Sequence, residues 1–283
     1  YSTYKPTNVE WLGDVPRHWK VDKLKNYCEI FASGVDKKIE EGEIEVSLCN
    51  YVDVYKNQII DKSIQFMTAT ATQGEIEKFS LQLNDIIVTK DSETPDDIAV
   101  PAIVKEVFQN FLCGYHLSII RSVRKIEPDF LIWVLRDLNI ATQFHREAIG
   151  ITRYGLASKH FKNGIITFPI KAEQTLIAEF LDQATANIDK VIATKQQQLE
   201  QLEQWRKSKI HECVSKGLSS DLKLNPSGFG FIADVPEGWK VERVKDVVEL
   251  RTGKTSEKSD EKNYLELEDI EQWTGNIIGF RDT

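Results

Sequence analysis

The sequence predicts an α+β protein in which a mixed domain of strands and helices precedes one long helical region. Short β-branched runs with turn residues between them fill residues 1–169, and a stretch without glycine or proline follows. The length of 283 residues suits about two domains. Hydrophobic residues make up 41% and charged residues 28%, as in ordinary globular proteins, which excludes a disordered or fibrous chain.

Five runs in the first domain predict strands, because β-branched residues pack well on a pleated sheet. These runs are Ile44–Leu48, Asp85–Thr89, Ala99–Val104, His116–Arg121 and Gly164–Ile170. Between the last two runs, apolar residues recur at helical spacing and predict one helix over Asp129–Ala148. Strands and helices therefore alternate irregularly, as expected for a mixed domain.

The stretch from Ala172 to about Lys216 predicts a long helix that ends before Gly217. Its apolar residues recur every three to four positions, as in a coiled coil, with an interruption at Lys195. A break could lie at Asp182–Ala186, with Thr185 as a cap. A stripe of this length needs a partner helix, because it would otherwise expose a large apolar patch. Six residues are predicted to form the interface with that helix: Leu181, Ile188, Val191, Leu199, Leu202 and Trp205.

An internal repeat divides the chain. Asp14–Ile30 aligns without a gap on Asp234–Leu250, with eight of seventeen positions identical. The repeat distance of about 220 residues is too long for a solenoid unit, so it indicates the duplication of a whole domain with its connector. Because the second copy stops at Thr283, we expect one complete unit and the opening of another. The predicted boundaries are 1–169, 170–217 and 218–283, with a linker over 219–230.

Charge is unevenly distributed along the chain. The net charge of −8 argues against a non-specific nucleic-acid binder, yet residues 121–162 hold eight basic side chains against four acidic ones. Within this stretch, Gly150–Lys162 combines three basic residues with Thr, Ser, Tyr and His and contains no acidic residue. Such a segment suits contacts to phosphates and base edges. A solvated basic loop is the alternative interpretation.

Enzyme and metal chemistry find little support in the sequence. The four cysteines are far apart and form no C-x-x-C pair, so we predict reduced, buried cytosolic thiols. The histidines form no pair at metal spacing, and His116 is predicted to be a satisfied core histidine. The acidic segment Asp91–Asp97 is predicted to be an exposed turn rather than a nuclease site. No membrane-length apolar run, signal peptide or glycine-rich cofactor loop is evident.

Several motifs occur together in one order along the chain. They are Val9–Lys20, Gly150–Leu156, Pro169–Gln174, Ile177–Asp182, Ile188–Ile192 and Val214–Leu218. In this order the sequence resembles the specificity subunit of type I restriction-modification enzymes. The resemblance covers nearly the whole chain. It implies that residues 1–169 are a target recognition domain, 170–217 a helical spacer and dimerisation region, and 218–283 the linker and incomplete start of a second recognition domain.

The resemblance also implies a function. Such a subunit has no catalytic activity, binds double-stranded DNA and docks modification (methyltransferase) and restriction subunits, in which S-adenosylmethionine, ATP and Mg²⁺ are bound, so no cofactor is expected in this chain. A cytoplasmic location follows, with no membrane partner. Two chains are expected to pair as an antiparallel homodimer, each reading half of a split target. The predicted DNA-binding residues are Lys90, Arg121, Thr152, Arg153, Tyr154, Lys159 and Lys162.

Two other classes of function remain open at this point. One is a self-contained DNA nuclease or methyltransferase, against which the absent cofactor and metal motifs count. The other is a coiled-coil adaptor without a DNA role, since the long helix alone would satisfy that function. A salt-dependent shift of duplex DNA would separate a DNA-recognition subunit from the adaptor.

Overall fold

A computed structural model describes residues 1–219, 221–250, 253, 265–272 and 274–279. The chain divides into one unit of residues 1–194 and a second unit from residue 195 onward, with the boundary inside the long helix. The strands are β1 Tyr4–Pro6, β2 Asp14–Pro16, β3 Lys20–Lys23, β4 Cys28–Ala32, β5 Ile44–Cys49, β6 Ile59–Ile60, β7 Met67–Ala71, β8 Ile86–Thr89, β9 Asp91–Ser92, β10 Pro101–Val104, β11 Phe111–Cys113, β12 Leu117–Ser122, β13 Tyr154–Gly155, β14 Ile165–Phe168, β15 Leu224–Phe229 and β16 Ile232–Pro236. The helices are α1 Tyr51–Lys56, α2 Gln73–Phe79, α3 Pro128–Arg136, α4 Leu138–His145, α5 Ser158–Asn163, α6 Lys171–Lys216 and α7 Val244–Val247.

A five-stranded sheet forms the centre of the first unit, in the order β4-β12-β8-β10-β6. Its neighbours are antiparallel except for β10 and β6, which run parallel. A second sheet, β11-β5-β7, contains one parallel and one antiparallel pair. The predicted α+β fold class is confirmed by this arrangement.

Both faces of the central sheet are covered, which explains the continuous apolar run Ile86-Ile87-Val88 in β8. Side chains alternate between the faces of a strand. Ile86 and Val88 therefore join the core that α3, α4 and α5 cover, whereas Ile87 joins the core beneath the second sheet. Phe130, Phe144 and Phe161 supply the helical side of the first core. A sheet buried on both faces loses the polar-apolar alternation that a half-exposed strand shows.

The single helix predicted over Asp129–Ala148 is instead two helices, α3 and α4. Asp137 separates them, with an extended backbone at φ −64° and ψ 126°. Its carboxylate accepts hydrogen bonds from the backbone N–H groups of Asn139 and Ile140, at 2.9 and 3.1 Å, and so caps α4. An aspartate competes well for free N–H groups at a helix start, and the apolar periodicity continues across such a break.

The helix α6 is unbroken over its 46 residues, without the break considered at Asp182–Ala186. Thr185 lies inside it and donates to the carbonyl of Leu181 at 2.7 Å. The first turn is fastened to the mixed domain by Gln174, which is completely buried. The Gln174 side chain accepts from the N–H of Glu127 and donates to the carbonyls of Lys125 and Pro169. The motif Pro169–Gln174 thus has a structural explanation: it joins the helix to the domain.

The predicted linker over 219–230 contains a strand, which corrects that prediction. β15 pairs with β16 in a hairpin that matches Leu224 with Pro236 and Asn225 with Val235. In the first unit, β1 pairs with β2 in the equivalent register, Tyr4 with Pro16 and Lys5 with Val15. The repeat therefore includes a hairpin that starts before the aligned motif. Weak sequence identity outside Asp234–Leu250 concealed this strand.

Candidate nucleic-acid interface

The basic segment Gly150–Lys162 meets the acidic segment Asp91–Asp97 at one end of the central sheet. β9 and β13 pair antiparallel, with Tyr154 opposite Ser92 and Gly155 opposite Asp91. Lys90 lies between β8 and β9, and its carbonyl accepts the N–H of Leu156 at 2.8 Å. This pairing brings Lys90 and the loop containing Thr152, Arg153 and Tyr154 together at one surface.

A hydrogen-bonded chain of four side chains organises this surface. The Arg153 guanidinium donates to Nε2 of His116 at 3.1 Å, and His116 Nδ1 lies 3.0 Å from a carboxylate oxygen of Asp91. The Lys90 ammonium donates to the same oxygen at 2.5 Å. Because Arg153 can only donate and a carboxylate can only accept, His116 is neutral with its proton on Nδ1.

The electrostatics of His116 agree with this assignment. Burial lowers the His116 pKa, and the charges of Arg153 and Lys90 lower it further, while Asp91 opposes the shift. The prediction that His116 is a satisfied core histidine is confirmed for its burial and hydrogen bonding. Its connection to Arg153, however, makes it part of the candidate site, which the sequence did not indicate.

A polar cluster continues the surface beyond Ser92. The Tyr51 and Tyr55 rings of α1 stack with centroids 5.5 Å apart, and the Tyr51 hydroxyl lies 3.0 Å from Oγ of Ser92. Asp97 accepts hydrogen bonds from the Tyr55 and Thr94 hydroxyls, at 3.1 and 2.8 Å. The predicted acidic turn is therefore held in place by hydroxyl groups.

Lys159 and Lys162 lie on the short helix α5, and both side chains are exposed. Phe161 of the same helix is completely buried and anchors it in the core. Gly164 ends α5 where a Cβ atom would come within 2.6 Å of the Phe144 ring, so only glycine fits there. The packing of Phe161 and Gly164 thus presents the two lysines to solvent from a fixed position.

Arg121 lies apart from these residues. β8 and β12 run antiparallel, so Lys90 and His116 share one end of the pair while Asp85 and Arg121 share the other. Arg121 donates two hydrogen bonds of 2.7 Å to the buried Asp85 carboxylate, which raises the Arg121 pKa. The structure therefore brings Lys90 and the loop with Thr152, Arg153 and Tyr154 together, places Lys159 and Lys162 on α5, and commits Arg121 to an internal ion pair.

The predicted helix interface is exposed on α6 except at its first residue. Ile188, Val191, Leu199, Leu202 and Trp205 are each more than half exposed, whereas Leu181 is half-buried. Leu181 lies where α6 packs on the first unit, next to Ile177, which contacts the core. The stripe therefore presents apolar side chains to solvent from Ile188 onward.

Within the described ranges no cluster of His, Cys, Asp and Glu could hold a metal ion, and no helix is long and apolar enough to cross a membrane. Cys28, Cys49 and Cys113 are buried free thiols. Burial raises the pKa of Cys28 to about 12, which removes the thiolate that a nucleophile or metal ligand would need.

Comparison with known proteins agrees with this architecture. The family model described as type I restriction modification DNA specificity domain matches residues 16–204. The MjaX type I restriction enzyme specificity subunit of Methanocaldococcus jannaschii is 26% identical over 245 residues, covering 84% of this chain and 55% of its own. The MjaVIII specificity subunit of the same organism is 21% identical over 253 residues, covering 89% and 54%. The chain thus spans about half the length of the curated relatives it matches.

A solved structure, described as the structural basis underlying complex assembly and conformational transition of the type I R-M system, contains a chain with the same fold. Its TM-score is 0.58 at 14% identity, covering 75% of this chain and 49% of that chain. The family match spans well over half of the sequence, so the chain belongs to the type I restriction modification DNA specificity domain family. The resemblance inferred from the ordered motifs is confirmed.

Proposed function

We propose that this chain is the non-catalytic DNA-recognition component of a type I restriction-modification complex. Its first unit would bind double-stranded DNA through the surface that holds Lys90, Thr152, Arg153 and Tyr154, with Lys159 and Lys162 on α5. The family match supports this proposal, and the exposed Arg153, fixed in position by His116, is the observation in the structure that carries it. Arg121, in contrast, would support the domain rather than contact DNA.

The remaining components would be supplied by partners. Modification subunits with S-adenosylmethionine and restriction subunits with ATP and Mg²⁺ would dock on this chain, which would bind no cofactor itself. The net charge of −8 is consistent with partners that contribute part of the positive surface around the DNA. Each chain would then read one half of a split target, and the complex would function in the cytoplasm.

A mobility-shift titration of the purified chain with duplex DNA tests this proposal. We expect binding that weakens steeply as salt increases and that tightens when a modification subunit is added. The same duplex incubated with S-adenosylmethionine or Mg²⁺ and this chain alone should stay unmodified and uncut. Absence of any shift, with and without the modification subunit, would favour the coiled-coil adaptor, and modification or cleavage by the chain alone would favour the enzyme.

The exposed stripe on α6 supports an antiparallel homodimer. Replacing Leu199 and Leu202 by Asp would bury two charges at such a seam, at a cost of several kcal/mol. Gln197 and Gln204 lie on the opposite face of α6 at 3.6 residues per turn, so their replacement by Asp is the matched control. Sedimentation should show a wild-type dimer, a dimeric control and a monomeric Leu199/Leu202 variant. A wild-type monomer at micromolar concentration would contradict the homodimer alone.

A further inference from the structure

The loop that carries Arg153 has a fixed shape. Its ends are joined by two backbone hydrogen bonds between Ile149 and Gly155, at 3.1 and 3.0 Å. A Cβ atom at Gly150 would come within 1.9 Å of the Arg153 carbonyl oxygen, so the turn requires glycine there. Ile151 is 97% exposed, and Thr152 and Arg153 are exposed beside it. The loop therefore projects three side chains outward from a closed, tightly turned backbone.

Two buried or partly buried side chains hold Arg153 on this loop. His116 is 9% exposed and receives the guanidinium on Nε2, while Asp91 holds the opposite side of the ring. Gly155 allows this approach, because a Cβ atom there would stand 3.1 Å from the Asp91 carboxylate. One guanidinium nitrogen of Arg153 is thus engaged, and its remaining N–H groups stay available. A long side chain that is already positioned loses less conformational entropy on binding.

The fixed orientation of Arg153 suits a base edge better than a phosphate. Contacts to phosphates position a protein on DNA but carry no sequence information. Base edges in the major groove instead present acceptors at defined positions, which a guanidinium held in one orientation can match. Because His116 holds the Arg153 guanidinium in place, its free N–H groups point in a defined direction.

We propose that Arg153 reads a base edge, most readily the O6 and N7 acceptors of guanine, and that His116 and Asp91 are positioning residues for it. This inference rests on the proposed DNA-recognition function and names the residue that sets part of the sequence preference. Arginine is suited to this role, because its planar fork matches the two acceptors of guanine. Lys159 and Lys162, which are exposed on α5, would contact phosphates instead.

Selection of bound duplexes from a randomised pool, made with the full 283-residue chain, tests the inference. Arg153→Ala should reduce the preference at one base pair by about 5- to 150-fold and leave the salt dependence of binding nearly unchanged. Lys159→Ala is the matched control: it should lower the salt slope by about one and leave the selected sequence intact. Arg153→Lys, which keeps the charge but loses the planar fork, should behave like Arg153→Ala.

His116 provides the second arm of the experiment. His116→Ala should weaken the preference at the same base pair as Arg153→Ala. His116→Gln should restore part of that preference, because a glutamine oxygen can accept from Arg153. Thermal unfolding of each variant identifies any loss of fold, and Arg153→Ala, an exposed change, keeps the test valid if His116→Ala fails to fold.

The outcomes are distinct. If the wild type binds duplex DNA and Arg153→Ala lowers the salt slope without changing the selected sequence, Arg153 contacts phosphate and the inference is overturned while the proposed function stands. The inference would also be overturned if Arg153→Ala changed neither the affinity for duplex DNA nor the selected DNA sequence. If the wild-type chain with its modification subunit binds no duplex, the proposed function itself fails.

Discussion

The two ends of the β8–β12 pair use arginine in opposite ways. At one end, the Arg121 side chain is 20% exposed and forms a two-fold hydrogen-bonded pair with Asp85, which is 1% exposed. At the other end, Arg153 is exposed and touches neutral His116. Arg121 thus neutralises a buried charge, whereas Arg153 keeps its own charge available. A basic residue in a sequence therefore indicates a binding surface only if no buried acidic side chain pairs with it in the folded protein.

The largest expected effect lies at the Arg121 end. Arg121→Ala leaves the buried Asp85 carboxylate without its partner, so we expect a loss of about 3–5 kcal/mol in the free energy of unfolding. Arg153→Ala, the same change at the other end, should stay within about 0.5 kcal/mol of wild type. Urea unfolding of both variants measures this difference.

A double variant sharpens that comparison. Replacing Arg121 by Met together with Asp85 by Leu removes both charges, and this pair should recover much of the stability that Arg121→Ala loses. A loss from Arg121→Ala no larger than that from Arg153→Ala would show that the Arg121–Asp85 pair contributes little, and would return Arg121 to the candidates for DNA contact.

An intermediate effect concerns pH at the Arg153 end. The folded state lowers the His116 pKa from its ordinary value of 6.5, so the unfolded chain binds a proton more readily. The stability contributed by neutral His116 is therefore present above pH 6.5 and is lost as the pH falls from there through the lowered folded-state pKa. Protonation also turns Nε2 into a donor that faces the Arg153 guanidinium. The Lys90 charge adds to this repulsion, while Asp91, on the Nδ1 side of the ring, opposes it.

Unfolding measured from about pH 7.5 to about pH 5.5 checks this expectation against His116→Gln, which cannot titrate there. The wild type should lose more stability over that range than the variant. Identical pH profiles would indicate that folding does not change the His116 pKa. A steeper loss in the variant would reverse the assigned direction of the pKa shift.

The smallest effect on stability is expected at α5. Lys159→Ala and Lys162→Ala are exposed changes, so each should alter the free energy of unfolding by less than about 0.5 kcal/mol. Each should nevertheless lower the slope of log affinity against log salt by about 0.9 if it neutralises a phosphate. A filter-binding series over several salt concentrations provides the slopes, with Arg153→Ala as the comparison. Slopes equal to the wild type would remove both lysines from the interface.

Much of the local structure could be predicted because it depends on neighbouring residues. The strands β8, β10 and β14 fall inside predicted runs, β5 and β12 extend one residue beyond theirs, and α6 spans nearly the predicted range. Two predictions were wrong where a helix cap or a strand pairing overrode the pattern of apolar and turn residues, which periodicity alone does not show. Asp137 divides α3 from α4 by capping, and β15 pairs with β16 in a segment whose turn residues indicated a linker.

The candidate site was harder to predict for a different reason. His116 lies 37 positions from Arg153 and 25 from Asp91, and no spacing rule connects residues so far apart. The basic residues of 150–162 lie in one segment of the sequence and were predicted together. The segment Asp91–Asp97 was instead predicted to be an exposed turn, and His116 was predicted to be a core residue. Tyr51 and Tyr55 hold the turn through Ser92 and Asp97, but no sequence pattern assigned these two tyrosines to a site.

The sequence by itself determined the α+β class, the long helix, the repeat and the family, because composition, periodicity and ordered motifs are properties of neighbouring residues. Only the tertiary structure decided which arginine is available. The antiparallel β8–β12 pair sends Arg121 to Asp85, and the β9–β13 pair sends Arg153 to His116. Strand pairing brings together residues that are distant in sequence. A charged side chain that is paired with a buried partner is no longer available to bind a ligand.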